Sequence, residues 1–169
     1  MKKLCTALCF FNADVQNRDK VCSMTLHDRE IIFILYSTER NWADDLPKSN
    51  WLCILVDNGQ PRNYVAEVIS KIINNDVCWV STVGQACERN HDLIDEEIVY
   101  RQLDIEDLYL PKHDIMTTWH HDFDEGVWFS IFAANDEDIL IDKVVILDMT
   151  EGQEKERIEN LLEKYNVMR

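Results

Sequence analysis

Six consecutive apolar residues, Trp51-Leu52-Cys53-Ile54-Leu55-Val56, run into the turn signal Asp57-Asn58-Gly59. A run of that length is too short to span a membrane, and bounded by a turn it reads as a strand buried on both faces. Such strands belong to α/β sheets, where crossover helices cover the sheet. After Gly59-Gln60-Pro61 the period changes. Val65, Val68, Ile69, Ile72 and Ile73 fall at i, i+3, i+4, i+7 and i+8, one apolar stripe of a helix. Pro61 suits its first turn and Asn74-Asn75 its stop. Val77 to Val83 then reads as a second strand, ending at Gly84. A β-α-β unit of this kind predicts parallel neighbours joined by a right-handed crossover.

The rest of the chain extends the alternation. Glu30 to Tyr36 is a β-rich run, Ile115 to Trp119 a short strand candidate, and Lys143 to Met149 a last strand. A helix is expected from Gln85 to about Arg101, with Cys87, His91, Ile94 and Ile98 near one face. Another opens at Asp122, where Glu125 three residues on makes a capping-box-like start, and buries Val127, Trp128, Ile131 and Phe132. Glu151-Gly152 leads into a final helix with Ile158, Leu161, Leu162 and Tyr165 on one stripe. Ser37 to Asn50 reads as a loop, Asn12 to Lys20 as another, and Leu4 to Phe11 as a strand or a short buried helix. The expected fold is a single α/β domain over residues 1–169: a three-layer sandwich with a mostly parallel sheet of about five strands and helices on both faces. The pattern leaves the strand order open.

Charge decides which partners suit such a domain. Thirty-two acidic residues face 17 basic ones, for a net charge of −15. That surface repels nucleic acid and anionic membrane and attracts basic proteins over roughly a Debye length, about 8–10 Å in physiological salt. Solubility alone is the plainer account of such acidity. The six cysteines include no C-x-x-C pair, and Cys53 and Cys78 lie inside apolar strand patterns, which fits free thiols in a reducing cytoplasm. Leu4 to Phe11 is a short apolar run containing two cysteines, and no A-x-A site follows it, so it is not expected to be a secretion signal.

Ligands of open α/β sheets bind beyond the carboxyl ends of the strands. Here those ends carry Asp57-Asn58-Gly59, Gly84 to Glu88, Trp119-His120-His121-Asp122 and Asp148-Met149-Thr150. A small-molecule hydrolase or transferase would draw on Asp57, Cys87, His91, His120 and His121. Asp and Asn after a strand are also ordinary turn and cap residues. His120 and His121 are adjacent, so on a regular strand they face opposite sides. Cys87 and His91 are four residues apart on one helix face, a geometry zinc can use, but no second pair completes the four ligands. With no G-x-G-x-x-G and no P-loop, no metal, cofactor or nucleotide is expected.

The sharper feature is electrostatic. Between Gln85 and Glu125 twelve acidic residues face three basic ones, so −9 of the net −15 lies in this segment. Tyr100, Leu108, Tyr109 and Leu110 are interleaved with them. Aromatic anchors in an acidic field suit the docking of a basic protein, because charge speeds encounter and buried aromatics hold the complex. The residues expected to meet the partner are Asp92, Asp95, Glu96, Glu97, Asp104, Glu106, Asp107 and Tyr109. The bland counterpart is a solvated helix face.

Leu55-Val56-Asp57-Asn58-Gly59 together with Ile115-Met116-Thr117-Thr118-Trp119-His120, and the acid-capped, Trp- and Phe-containing helix after them, resembles a group of small uncharacterised bacterial α/β proteins. The resemblance covers residues 30–150 and carries no activity to this chain. By size and charge alone, the chain also resembles the immunity proteins of bacterial contact-dependent inhibition systems, which neutralise basic nuclease toxins by binding them. That likeness of profile implies a toxin-neutralising binding protein rather than an enzyme, and it identifies no residues.

Overall fold

The computed structural model describes residues 22–168 with the exception of Asp104. The readings for Leu4–Phe11 and Asn12–Lys20 lie outside the described residues. In chain order the strands are β1 (Cys22–Leu26), β2 (Arg29–Leu35), β3 (Trp51–Val56), β4 (Val77–Val83), β5 (Met116–His120) and β6 (Lys143–Asp148). The helices are α1 (Arg62–Ile73), α2 (Cys87–Gln102), α3 (Phe123–Phe132) and α4 (Lys155–Val167). The fold is α/β, with one sheet of strand order β1-β2-β6-β3-β4-β5, parallel throughout except for the antiparallel pair β1–β2.

Among the described residues the sheet thus has six strands where about five were expected, and the additional strand is β1. Its hairpin turns through His27 and Asp28, both at positive φ (50° and 61°), the backbone of a tight primed turn. His-Asp is a rare choice for that turn, so the sequence gives no Asn-Gly or Asp-Gly signal there. The loop reading of Ser37–Asn50 also needs correction: Trp42–Asp45 is a 3-10 turn whose Trp42 side chain is fully buried.

Every residue of β3 and β4 is buried, as an unbroken apolar run requires. The core divides by strand parity. Leu52, Ile54 and Val56 pack with Val127 and Ile131 of α3 and with Ile158, Leu161, Leu162 and Tyr165 of α4. Trp51, Cys53 and Leu55 pack instead with Val65, Val68, Ile69 and Ile72 of α1 and with Ile94 of α2. The stripes read for α1 and α4 are therefore the buried faces. Two other helical faces include residues that the pattern did not name. On α3, Trp128 turns outward and Phe123, Gly126 and Ser130 face in. On α2, Asn90 and Arg101 are buried beside Cys87 and Ile94, while His91 and Ile98 are only half-buried.

This parity creates a switch point. β3 and β6 are neighbours, but the helices after them, α1 and α4, pack into different clusters. The chain leaves adjacent strand ends in opposite directions, which opens the crevice that α/β ligands commonly occupy.

Candidate functional site

Asp57 and Asp148 stand at the carboxyl ends of β3 and β6, and both are fully buried. Asp57 is occupied by the fold itself. Its Oδ1 accepts the Gly59 and Gln60 N–H groups at 3.0 and 2.9 Å, and its Oδ2 accepts Arg89 Nη2 at 3.0 Å and Asn90 Nδ2 at 2.8 Å. A carboxylate with four donors caps a turn and ties it to α2; it has no lone pair free to act as a base. The turn-and-cap reading of Asp57 describes these contacts.

Close backbone approach completes this corner. Gly84, at φ +100°, lies so near Asp57 O and Asn58 Oδ1 that a Cβ would overlap both. Asn58 bridges the switch point, its Nδ2 donating to Glu154 at 3.0 Å and its Oδ1 accepting Gln85 N–H at 3.2 Å. Asp148 is less complete. Its Oδ1 accepts the Thr150 N–H and hydroxyl at 2.7 and 2.6 Å, while Oδ2 is buried with no hydrogen-bond partner. Burial pushes the Asp148 carboxyl above the usual carboxylate range.

The thiol and the histidines are divided by strand parity. Cys87, the first residue of α2, is buried, with its Sγ 3.8 Å from His121 Nδ1. His91 packs its ring on Trp119, with centroids 4.5 Å apart, and approaches Asp92 and Asp95 at 3.6 and 3.7 Å. His120 faces the other way, against Phe129 and the α3 backbone at Gly126. Burial holds the His120 pKa below its ordinary value, and its Nε2 is buried without a partner. Among the described residues, no three His, Cys, Asp or Glu side chains gather as a metal site would require. Cys53, Cys78 and Cys87 are free thiols, all buried.

The acidic segment occupies the outer face of α2 and the chain after it. Its carboxylates fall into two kinds. Asp95 accepts the Thr117 hydroxyl at 2.8 Å, Glu96 pairs with Arg62 at 2.9 Å, and Glu97 pairs with Arg101 at 2.7 Å, so these three also serve the fold. Asp92, Glu106 and Asp107 are exposed, and Asp104 lies outside the described residues. Glu106 sits beside the Tyr100 hydroxyl and raises its pKa. Tyr109 is half exposed, its hydroxyl bonded to Asp76.

Arg101 holds this region in place. Its buried guanidinium donates to Glu97, to Asn74 Oδ1, to Tyr109 O at 2.6 Å and to Ser70 Oγ at 2.9 Å. One side chain thereby ties the end of α2, the end of α1 and the 103–110 loop together. Around it stand apolar residues that sequence reasoning left out: Val99, Leu103 and Ile105 are all more than half exposed. A core stripe and an exposed apolar patch look alike in sequence, and only the orientation of α2 separates them. Leu110, read as part of the interleaved group, packs instead against the core. A shallow cleft of about 310 Å³ between α1 and α2 borders the patch, lined by Arg62, Ala66, Leu93, Glu96 and Tyr100.

Fold and surface together define an α/β domain whose exposed chemistry is acidic and apolar in one stretch. The chain belongs to the family described as a domain of unknown function (DUF7684), whose model matches residues 31–165, from β2 into α4. No curated protein and no solved structure matches it.

Proposed function

We propose that the chain is a toxin-neutralising binding protein of the immunity type. It would act in the cytoplasm, covering a basic partner, a nuclease toxin, with its acidic surface. One observation supports this most directly: Val99, Tyr100, Leu103, Ile105, Leu108 and Tyr109 are exposed together, among Glu96, Glu106 and Asp107. A merely solvated surface has no reason to present six large apolar side chains to water, whereas an interface core requires them. A three-layer arrangement, with α1 and α2 covering the same side of the sheet, would carry this face on the outside of one helical layer.

The test is association kinetics with immobilised basic nuclease domains at low and at physiological ionic strength. Inhibition of DNA cleavage is the second readout. Association should be fast and should slow with salt, because opposite potentials steer encounter and are screened within a Debye length. Glu106→Lys with Asp107→Lys should slow association, and Tyr109→Ala should speed dissociation. Rates indifferent to salt and to charge reversal would overturn the reading.

One observation favours the second reading, a small-molecule hydrolase or transferase: the approach of Cys87 to His121 at the ends of β4 and β5. A thiol at a helix N-terminus beside a histidine is the arrangement that activates cysteine nucleophiles. Its burial, and the full occupation of Asp57, place this reading second.

A further inference from the structure

We propose that the sheet edge at β5, unpaired on its outer side among the described residues, takes up an extended, cationic segment of the partner as an added strand. This rests on the binding-protein reading and specifies how the partner is held. β5 ends the strand order, and among the described residues it pairs with β4 alone. Alternate N–H and C=O groups of such a strand face outward without a ladder partner. Sheet edges are commonly protected by Lys, Pro, a bulge or an inward charge. Met116-Thr117-Thr118-Trp119-His120 has none of these, and its register with β4 runs without a shift.

The side chains on this edge fit a strand-shaped guest. Trp119 is 45% exposed and is propped from below by the His91 ring. Met116, on the opposite face of the strand, is 43% exposed. An incoming strand would therefore find an apolar anchor on either face of the sheet, with backbone bonds between them.

Charge selects the occupant. Asp92 and Asp95 flank the edge from α2, Asp95 through its bond to the Thr117 hydroxyl and Asp92 beside His91. Asp114 precedes β5 by two residues, and Asp122 and Glu125 follow it closely. In the sequence from Lys112 to Glu125, Lys112 is the one basic residue of opposite sign. A second copy of this chain would bring the same carboxylates face to face, whereas Lys- or Arg-bearing strands would neutralise them.

The probe is a synthetic peptide of about ten residues, a long strand by natural measure, alternating Lys with Val or Tyr. It is compared with its Glu-for-Lys counterpart and with the Lys peptide N-methylated at alternate positions, all against the full chain by amide-resolved NMR. The Lys peptide should slow exchange of alternate amides in Met116–His120 about tenfold or more. The Glu peptide and the N-methylated peptide should fail to do so, and Trp119→Lys should weaken binding about tenfold, an energy readily lost with one anchor. The N-methylated arm needs no variant, so it stands even if Trp119→Lys perturbs folding. Equal binding of the N-methylated or Glu peptide, or a self-association that Trp119→Lys abolishes, would overturn the proposal. Cationic binding that protects residues 96–109 and leaves β5 unchanged would remove the edge but keep the acidic binder. Failure of both the peptide and the basic nucleases to bind anywhere would remove both.

Discussion

At the scale of single residues, the strand-end carboxylates show how one residue type takes different states. Asp57 has four donors and serves the fold. Asp148 has one oxygen bonded and one buried without a partner, and its pKa is raised by burial. A carboxyl whose pKa is higher folded than unfolded binds more protons in the folded state. Its contribution to stability is then fully present below the unfolded pKa and is lost as pH rises through the folded value. The wild-type chain should lose stability from this group as pH rises above the usual carboxylate range. Asp148→Asn keeps an oxygen for Thr150 and cannot ionise, so it should lack that loss. Thermal unfolding of both chains across mildly acidic to neutral pH checks this. Parallel curves would mean that Asp148 titrates as an ordinary exposed carboxyl. The turn at Asp57 was legible in sequence because Asp-Asn-Gly carries its own local chemistry. The grouping of Cys87 with the strand-end histidines was legible too, but the approach of Cys87 to His121 in particular was not, since it depends on β5 lying beside β4, which no local pattern encodes.

At the scale of elements, β3, β4, β6, α1 and α4 were readable because each buries an apolar pattern with its own period. α2 was harder to read, and its contacts explain why. It is anchored through Asn90 and Arg101 by hydrogen bonds rather than by a wide apolar stripe, so a periodicity argument sees a polar helix. Trp128 misled for the opposite reason: a large apolar residue on a helix reads as core, yet Gly126 is what lets α3 lie on the sheet. A Cβ there would come within 2.5 Å of Val83 Cγ1 and 2.7 Å of His120 Cβ. Arg101 supplies the prediction for this scale. Arg101→Lys keeps the charge but loses the fork that reaches Glu97, Asn74, Tyr109 and Ser70 together. We expect a stability loss of about 1–3 kcal/mol, because buried acceptors are left unmet, and faster amide exchange confined to residues 103–111. Affinity for a basic partner should fall as well, through loss of preorganisation rather than of contact. Unchanged exchange in that loop would show that it is held by its own packing.

At the scale of the whole molecule, the net charge of −15 has two opposite consequences for salt. Like charges on a compact surface repel, and this self-repulsion is relieved by screening. Against it stand ion pairs that salt weakens, but those between exposed side chains, such as Arg62–Glu96 and Arg157–Asp124, contribute little. The pair Arg101–Glu97 includes a buried guanidinium and is screened less. Repulsion therefore wins in the free chain, and its melting temperature at neutral pH should rise as NaCl increases from low to physiological concentration. For the complex with a basic partner the sign reverses, because the attraction that assembles it is screened by the same ions. Melting curves of the free chain and association rates of the complex, taken in the same salt series, separate the two effects. A free chain that melts lower as salt is added would mean that intramolecular pairs outweigh the repulsion. The acidic surface would then be balanced within the fold, and the electrostatic drive toward a basic partner would be correspondingly weak.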